Sequence, residues 1–276
     1  MKEITPTVLK EFQDKIYDFY HANKRDFAWR SDISPYNVVV SEIMLQQTQT
    51  HRVISKFDQW ITLFPDFTTL AKASDLAVLA AWQGLGYNRR GLALKKIAQI
   101  IINEHAGILP NDPKVLQTFP QIGPNTAGSI CAFAFNKPIA FIETNIRTVF
   151  THEFFAHQEK VDDQDILPLI QATIPASDPR NWYYALMDYG VYLKKEHGSI
   201  NAKNKNYAKQ SKFEGSTRQV RGFIIKVLTT QGYIDQNDLL ELIALQLPGN
   251  KHNANKILSD LKEENIIKQK NSILFL

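Results

Sequence analysis

LQTFPQIGPNTAGSI, residues 116–130, closes one helix and opens another within a few residues. Leu116 and Phe119 end the first on apolar side chains. Pro120, Ile122 and Gly123 make the turn, in which Gln121 is given no role, and Asn125, Thr126 and Ala127 begin the second helix. Glycine reaches the positive φ of a tight turn without steric cost, so that conformation is predicted at Gly123, whose missing side chain also lets another backbone approach. A helix starting here points free N–H groups outward, an anion site that suits a nucleic-acid phosphate. A plain connection between two core helices is the alternative, but several residue types at fixed offsets favour the specific reading.

Outward from this hairpin, most of the chain carries helical spacing. Val8, Phe12, Ile16, Phe19 and Tyr20 form one apolar stripe over 7–22. Ser34-Pro35 is an N-cap followed by proline in the first turn, a start signal for the helix that contains VSEIMLQQTQT, residues 40–50. That helix holds a single acidic residue, Glu42, in an apolar run, with Gln46, Gln47 and Gln49 after it. Positions 42, 46 and 49 share a helical face, which could line a cleft. Further helices are predicted over 50–63, 68–72, 75–83, 88–106, 112–118, 124–135, 145–156, 163–174 and 179–193, separated by turn-forming FPDF, QGLGYN, GILPNDP and IPASDP. Strand-like alternation is nearly absent before residue 265. Helices over 216–230, 236–247 and 251–264, then two short strands in IIKQKNSILFL, suggest a small winged-helix-like module rather than a helical cap. The fold class is all-α.

With 276 residues and 44% hydrophobic content, the chain can bury a core and form two or three compact units. No run approaches the roughly 18 apolar residues of a membrane span, and MKEITPTVLKEF lacks the apolar block of a secretion signal. A soluble protein of the cytoplasm, with no membrane partner, is expected. The single Cys131 excludes a disulfide within the chain and a cysteine-ligated cluster, and the nearest histidine pair, His152 and His157, does not share a helix face. The net charge is +4, but Lys194, Lys195, Lys203, Lys205, Lys209, Lys212, Arg218 and Arg221 face only Glu196 and Glu214 over residues 194–221. A solvated linker and a phosphate-contacting segment both look like this.

SPYNVVVSEIMLQQTQT, WQGLGYNRR, the 116–130 hairpin and FIETNIRTVF occur in one order and spacing. Together they resemble the helix-hairpin-helix (HhH-GPD) DNA glycosylase superfamily, most closely the MutY-type adenine DNA glycosylases in a clusterless form, over roughly residues 8–193. The resemblance implies a two-domain glycosylase fold: a six-helix-barrel domain over 30–140, a second helical domain from 1–29 with 141–213, and the module over 214–276. It implies duplex DNA as partner, action as a monomer, and a nucleoid association if the source is bacterial.

By the same resemblance Glu42 matches the catalytic acid, and Gln46 and Gln49 border the pocket of an extruded base. Gln47 and Tyr87 match the wedges that fill the gap left by extrusion, with Arg89 and Arg90 behind Tyr87 suited to phosphates. Ile122, Gly123 and Thr126 would meet DNA at the hairpin, where carbonyls near Gln117, Phe119 and Ile122 would hold Na⁺ or K⁺. Glu143 stands where the family has aspartate; it keeps the charge that a cationic sugar needs, adds a methylene, and is a poorer N-cap. Asn145 and Arg147 match around it, and Asn145 could share the role of Glu143. Asn125 replaces the lysine of strand-cleaving relatives, so no Schiff base is expected there. The iron-sulfur cysteines of many relatives are replaced by KKEHGSINAKNKNYAKQSK, whose lysines would contact phosphates, and the tail does not look like the Nudix-related domain that recognises 8-oxoguanine. A base-excising glycosylase is implied, adenine first, then thymine or uracil mismatches or damaged purines. A DNA-binding protein without catalysis and a lyase using another lysine remain open.

Overall fold

The computed structural model describes residues 5–205, 207 and 210–276. Lys209 of the basic stretch lies outside the described residues. In chain order the helices are α1 (Pro6–Asn23), α2 (Ala28–Ser31), α3 (Pro35–Leu45), α4 (Thr50–Leu63), α5 (Phe67–Lys72), α6 (Asp75–Ala81), α7 (Arg89–Glu104) and α8 (Pro113–Leu116). There follow α9 (Pro124–Phe135), α10 (Thr144–Phe154), α11 (Asp163–Thr173), α12 (Pro179–His197), α13 (Thr217–Gln231), α14 (Gln236–Gln246) and α15 (Ala254–Glu263). A 3-10 turn (Ile200–Lys203) and three short strands, β1 (Tyr233–Asp235), β2 (Lys268–Lys270) and β3 (Ile273–Phe275), complete the described elements. The protein is predominantly helical, as its periodicity predicts. α2 was read as a break and β1 was not read, because three or four residues carry no measurable period.

The chain forms two compact units, residues 1–42 with 110–209 and residues 43–109 with 210–276. These boundaries differ from the three-part division read from the sequence. In the first unit α10 packs along α12, and α1 crosses α12. Phe12 meets Phe150, Phe154 and Trp182 edge-on, with ring centroids 5.3, 5.0 and 5.8 Å away. The closest backbone approach involves Gly190: a Cβ there would stand 2.4 Å from the Asn145 carbonyl oxygen, so only glycine fits. Asp188, on the same helix and buried, receives Arg30 through two guanidinium bonds of 2.9 Å and the Arg25 Nε at 2.7 Å. This desolvated carboxylate is held by paired charge-assisted bonds, the condition under which burial of a charge is tolerated.

In the second unit α5 lies against α7, and Leu79 of α6 shares a core with Val220, Ile224 and Leu228 of α13. The carboxy-terminal segment is therefore built onto residues 43–109. Its element order is helix, strand, two helices and a hairpin, with the sheet ordered β1-β3-β2, antiparallel throughout. Ile234 pairs with Leu274 in mid-sheet, and both face the core formed by α13 to α15.

Candidate active site

The neighbours of Glu42 on α3, including Val39, Val40, Ile43 and Met44, are fully buried, while Glu42 keeps part of its side chain accessible. Burial raises its pKa to about 7, the bond to Ser129 offsets part of that rise, and the charge of Glu143 adds to it. Ser129 Oγ lies 2.5 Å from Glu42 Oε2 and 3.0 Å from the Thr126 carbonyl. One hydroxyl carries one proton. When it is directed at Thr126, a pure acceptor, the short contact requires the proton of Glu42; when it turns to Glu42, the carboxylate is stabilised. The pair is thus built to hold and release one proton near neutral pH. Ser129 was missed in the sequence, and the signal was there: a polar residue inside the apolar AGSICAFAF run, three positions after Thr126.

Glu143 caps α10 despite its extra methylene, with Oε1 accepting the N–H groups of Asn145 at 2.7 Å and Ile146 at 2.9 Å. The Asn145 side chain donates to Glu143 Oε2 at 3.2 Å and accepts from Lys194 Nζ at 2.7 Å. Burial lowers the Lys194 pKa, the charge of Glu143 offsets this, and Arg147 adds to the lowering. Lys194 comes from the last turn of α12; the basic stretch marks it as a phosphate contact, whereas the structure places it on Asn145. Asn125 is exposed, and its Oδ1 accepts the Ile142 N–H at 3.1 Å, pinning the residue before Glu143. Arg147 is not free for a phosphate: Nε and Nη2 each donate to Asp163 at 2.7 Å, because that bidentate partner faces it from α11.

The shared face of positions 42, 46 and 49 does not form. α3 ends at Leu45, Gln47 takes φ 53°, and Gln49 becomes the N-cap of α4. Gln47 is exposed, Gln46 partly so. Arg90 causes the reversal and is itself a correction, since only 3% of it is exposed and it cannot hold a phosphate. Its guanidinium donates to the carbonyls of Ile43 and Met44 at 2.9 and 3.1 Å, to that of Gln46 at 2.5 Å, and to those of Leu85 and Gly86 at 3.1 Å each. One cation thus gathers five carbonyls at a broken helix end and a tight turn; that of Gly86 also accepts Trp82 Nε1 at 2.9 Å, and those of Gln46 and Leu85 lie 3.3 and 3.4 Å from the Thr48 hydroxyl. Burial draws its pKa down to about 10, leaving it charged. Arg89 is exposed, as a phosphate ligand must be. Tyr87, also left-handed at φ 48°, follows Gly84 and Gly86 at φ 93° and 71°. Its ring lies 5.3 Å from the Arg218 guanidinium and its hydroxyl accepts from Gln210 at 2.9 Å.

At the hairpin, positive φ falls on Gln121 at 63° and not on Gly123, which is extended at φ −86° and ψ 178°. The reversal takes place one residue before Ile122, whose N–H closes on the Phe119 carbonyl at 3.2 Å. Gly123 serves instead as the N-cap of α9 with no side-chain bond, and a Cβ there would meet nothing within 4 Å. No side chain of Gly123 covers the start of α9, where an anion could approach the backbone. Gln117 is exposed and Thr126 partly buried. Lys194 of the basic stretch is held by Asn145, Lys203 donates to the Ala156 carbonyl, and Lys205 makes a surface pair with Asp162 while staying exposed. Among the described residues, no group of three His, Cys, Asp or Glu could hold a metal ion, and no helix is long and apolar enough to cross a membrane.

Residues 40–167 match the family model described as HhH-GPD superfamily base excision DNA repair protein. The chain is 29% identical over 233 residues to an adenine DNA glycosylase of Mycobacterium tuberculosis (strain CDC 1551), with 76% of each chain covered. It is 25% identical over 196 residues to a thymine/uracil-DNA glycosylase of Methanothermobacter thermautotrophicus, covering 70% of this chain and 89% of that one. Among solved structures, a thermostable thymine-DNA glycosylase shares the fold with a TM-score of 0.61 at 23% identity, over 71% of this chain and 95% of that chain.

Proposed function

We propose that this chain is a member of the HhH-GPD superfamily of base excision DNA repair proteins, a monofunctional glycosylase that extrudes one base from duplex DNA and hydrolyses its glycosidic bond. The observation that carries this reading is Glu42: a carboxyl raised to about 7 beside Ser129, in the unit that also holds the capped Glu143. An acid matched to neutral pH is what proton transfer to a departing base requires. Glu42 gives its proton to the leaving base as the bond breaks. The electron pair goes with the base, and the sugar is left as a cation. Glu143, its carboxylate fixed by two backbone N–H groups and the Asn145 amide, supplies the opposing charge, and water adds to the sugar through its oxygen and gives up one proton, which restores the acid form of Glu42. Asn125 has no amine to attack the sugar.

Adenine is the first substrate to test and thymine or uracil the second, since relatives named for both are similar to the chain at 29% and 25% identity. DNA would be held at the start of α9 and by exposed Arg89, with a monovalent cation at the Phe119 carbonyl and no iron-sulfur cluster. A lyase reading rests on Lys194, an amine lowered by burial and one side chain removed from Glu143. One panel separates them: labelled duplexes with adenine, thymine or uracil mismatches are incubated with the protein, with and without alkali, and with borohydride. Cutting only after alkali is expected. A borohydride-trapped complex lost in Lys194→Met would establish the lyase, and binding without cutting under any condition would leave a reader of DNA.

A further inference from the structure

Ser129 Oγ has one proton and two acceptors within reach, Glu42 Oε2 at 2.5 Å and the Thr126 carbonyl at 3.0 Å, and all three residues belong to the first unit. Two arrangements satisfy this geometry. With the hydroxyl turned to Thr126, the 2.5 Å contact needs a proton on Oε2, and that proton lies against a serine only 3% exposed. With the hydroxyl turned to Glu42, Oε2 is the acceptor, and a neutral carboxyl then carries its proton on Oε1. Only the second arrangement puts the acid proton on the oxygen that buried Ser129 does not cover. It also keeps a charge-assisted bond in place for the carboxylate once the proton has gone.

The backbone under Ser129 is fixed. Its neighbour Gly128 lets α9 close on Phe141, where a Cβ at position 128 would stand 2.8 Å from the Phe141 Cβ. The hydroxyl can therefore change partner by rotation alone, with the helix at rest. The other titratable groups that bear on Glu42 act differently. Glu143 favours the protonated carboxyl by its charge, and Tyr184 of α12, its ring 4.5 Å from the Arg30 guanidinium, is kept neutral by burial. Ser129 favours the ionised form.

We propose that Ser129 is a positioning residue for proton delivery: its hydroxyl turns from the Thr126 carbonyl to Glu42 Oε2 and so places the acid proton on Oε1, the oxygen that meets the departing base. The inference rests on the glycosylase reading for the identity of the proton's acceptor. As the O–H bond at Oε1 breaks, its electron pair stays on the carboxylate, the proton passes to the base, and the Ser129 bond to Oε2 takes up part of the new charge.

The test titrates the full chain, labelled with carbon-13, by following the Glu42 carboxyl resonance, which Glu42→Gln removes. Its midpoint, near 7 in the wild type, is expected to rise by about one pH unit in Ser129→Ala, because the ionised form has lost a charge-assisted bond. Single-turnover excision of a mismatched base by Ser129→Ala should fall about tenfold on its low-pH plateau, since a weaker and less oriented acid delivers the proton. The limb on which activity is lost should move up with the midpoint. Ser129→Thr, which keeps the hydroxyl, should return the midpoint to the wild-type value. A role in packing alone would lower the plateau and leave the midpoint where it is. A midpoint unchanged or lowered in Ser129→Ala, or plateau excision equal to that of the wild type, overturns the proposal. The two readings stay separable: wild-type protein that excises none of the mismatched bases loses the glycosylase reading while the titration still judges the Ser129 pair, and excision by the wild type with no shift in the alanine variant loses Ser129 alone.

Discussion

Glu42→Gln should stabilise the protein at alkaline pH while abolishing excision. In the unfolded chain the carboxyl releases its proton near its ordinary 4.5; in the folded protein it holds the proton until about 7. As pH rises between those values the unfolded state becomes ionised first, so folding stability falls, and above about 7 the full loss is present. At about 1.4 kcal/mol for each tenfold change in proton affinity, the loss is roughly 3 kcal/mol, reduced to about 2 because Glu42 keeps contact with solvent. Glutamine carries no charge at any pH, so the variant escapes the loss. Urea unfolding of both proteins should give similar stabilities at pH 4.5 and a variant about 2 kcal/mol more stable at pH 8.5. Single-turnover excision by the wild type should fall about tenfold per pH unit above 7, the limb on which an acid is lost, and the variant should bind duplex DNA without cutting it. A stability difference that does not change with pH, together with excision retained in the variant, would refute both the buried acid and its role.

Lys194→Met keeps the length of the side chain and removes its bond to Asn145. Single-turnover excision should drop roughly 10- to 100-fold through loss of alignment, with DNA affinity unchanged in a gel-shift titration. Gly190→Ala forces a methyl against the Asn145 carbonyl, so α10 must shift; calorimetry should show about 1–3 kcal/mol of destabilisation, and excision should fall even where the protein remains folded. Arg90→Met removes the guanidinium from five carbonyls, of which that of Gly86 keeps Trp82 Nε1 and those of Gln46 and Leu85 share the Thr48 hydroxyl, and a loss of about 1–3 kcal/mol for each carbonyl left without a donor is expected on denaturant unfolding. Equal stability of that variant and the wild type would mean the carbonyls find other donors.

The parts of the site legible in the sequence are those whose signal is local. The hairpin at 116–130 is proline, glycine and a helix start in consecutive positions, and Glu42 is a lone acid in an apolar run. Glu143 stands immediately before a helix it then caps. The parts that escaped depend on partners distant in the chain. Lys194 reaches Asn145 across 49 residues, Ser129 reaches Glu42 across 87, and Arg90 reaches Ile43 across 47. Left-handed backbone was expected at Gly123, the residue for which it is cheapest, yet Gln47, Tyr87 and Gln121 adopt it. At Gln47 and Tyr87 the conformation is imposed by the carbonyls gathered on Arg90 and by the turn they define. At each of them it costs about 1–2 kcal/mol over the ordinary helical region, an expense no propensity reading anticipates.

The clamp on Arg90 has a kinetic corollary. Since one cation ties the carbonyls of both the 43–46 and the 85–86 turns, the tips bearing Gln47 and Tyr87 are welded into one tool and cannot travel separately. If Gln47 and Tyr87 act as the wedges that the resemblance implies, they would enter a double helix in a single concerted stroke, like a two-pronged chisel.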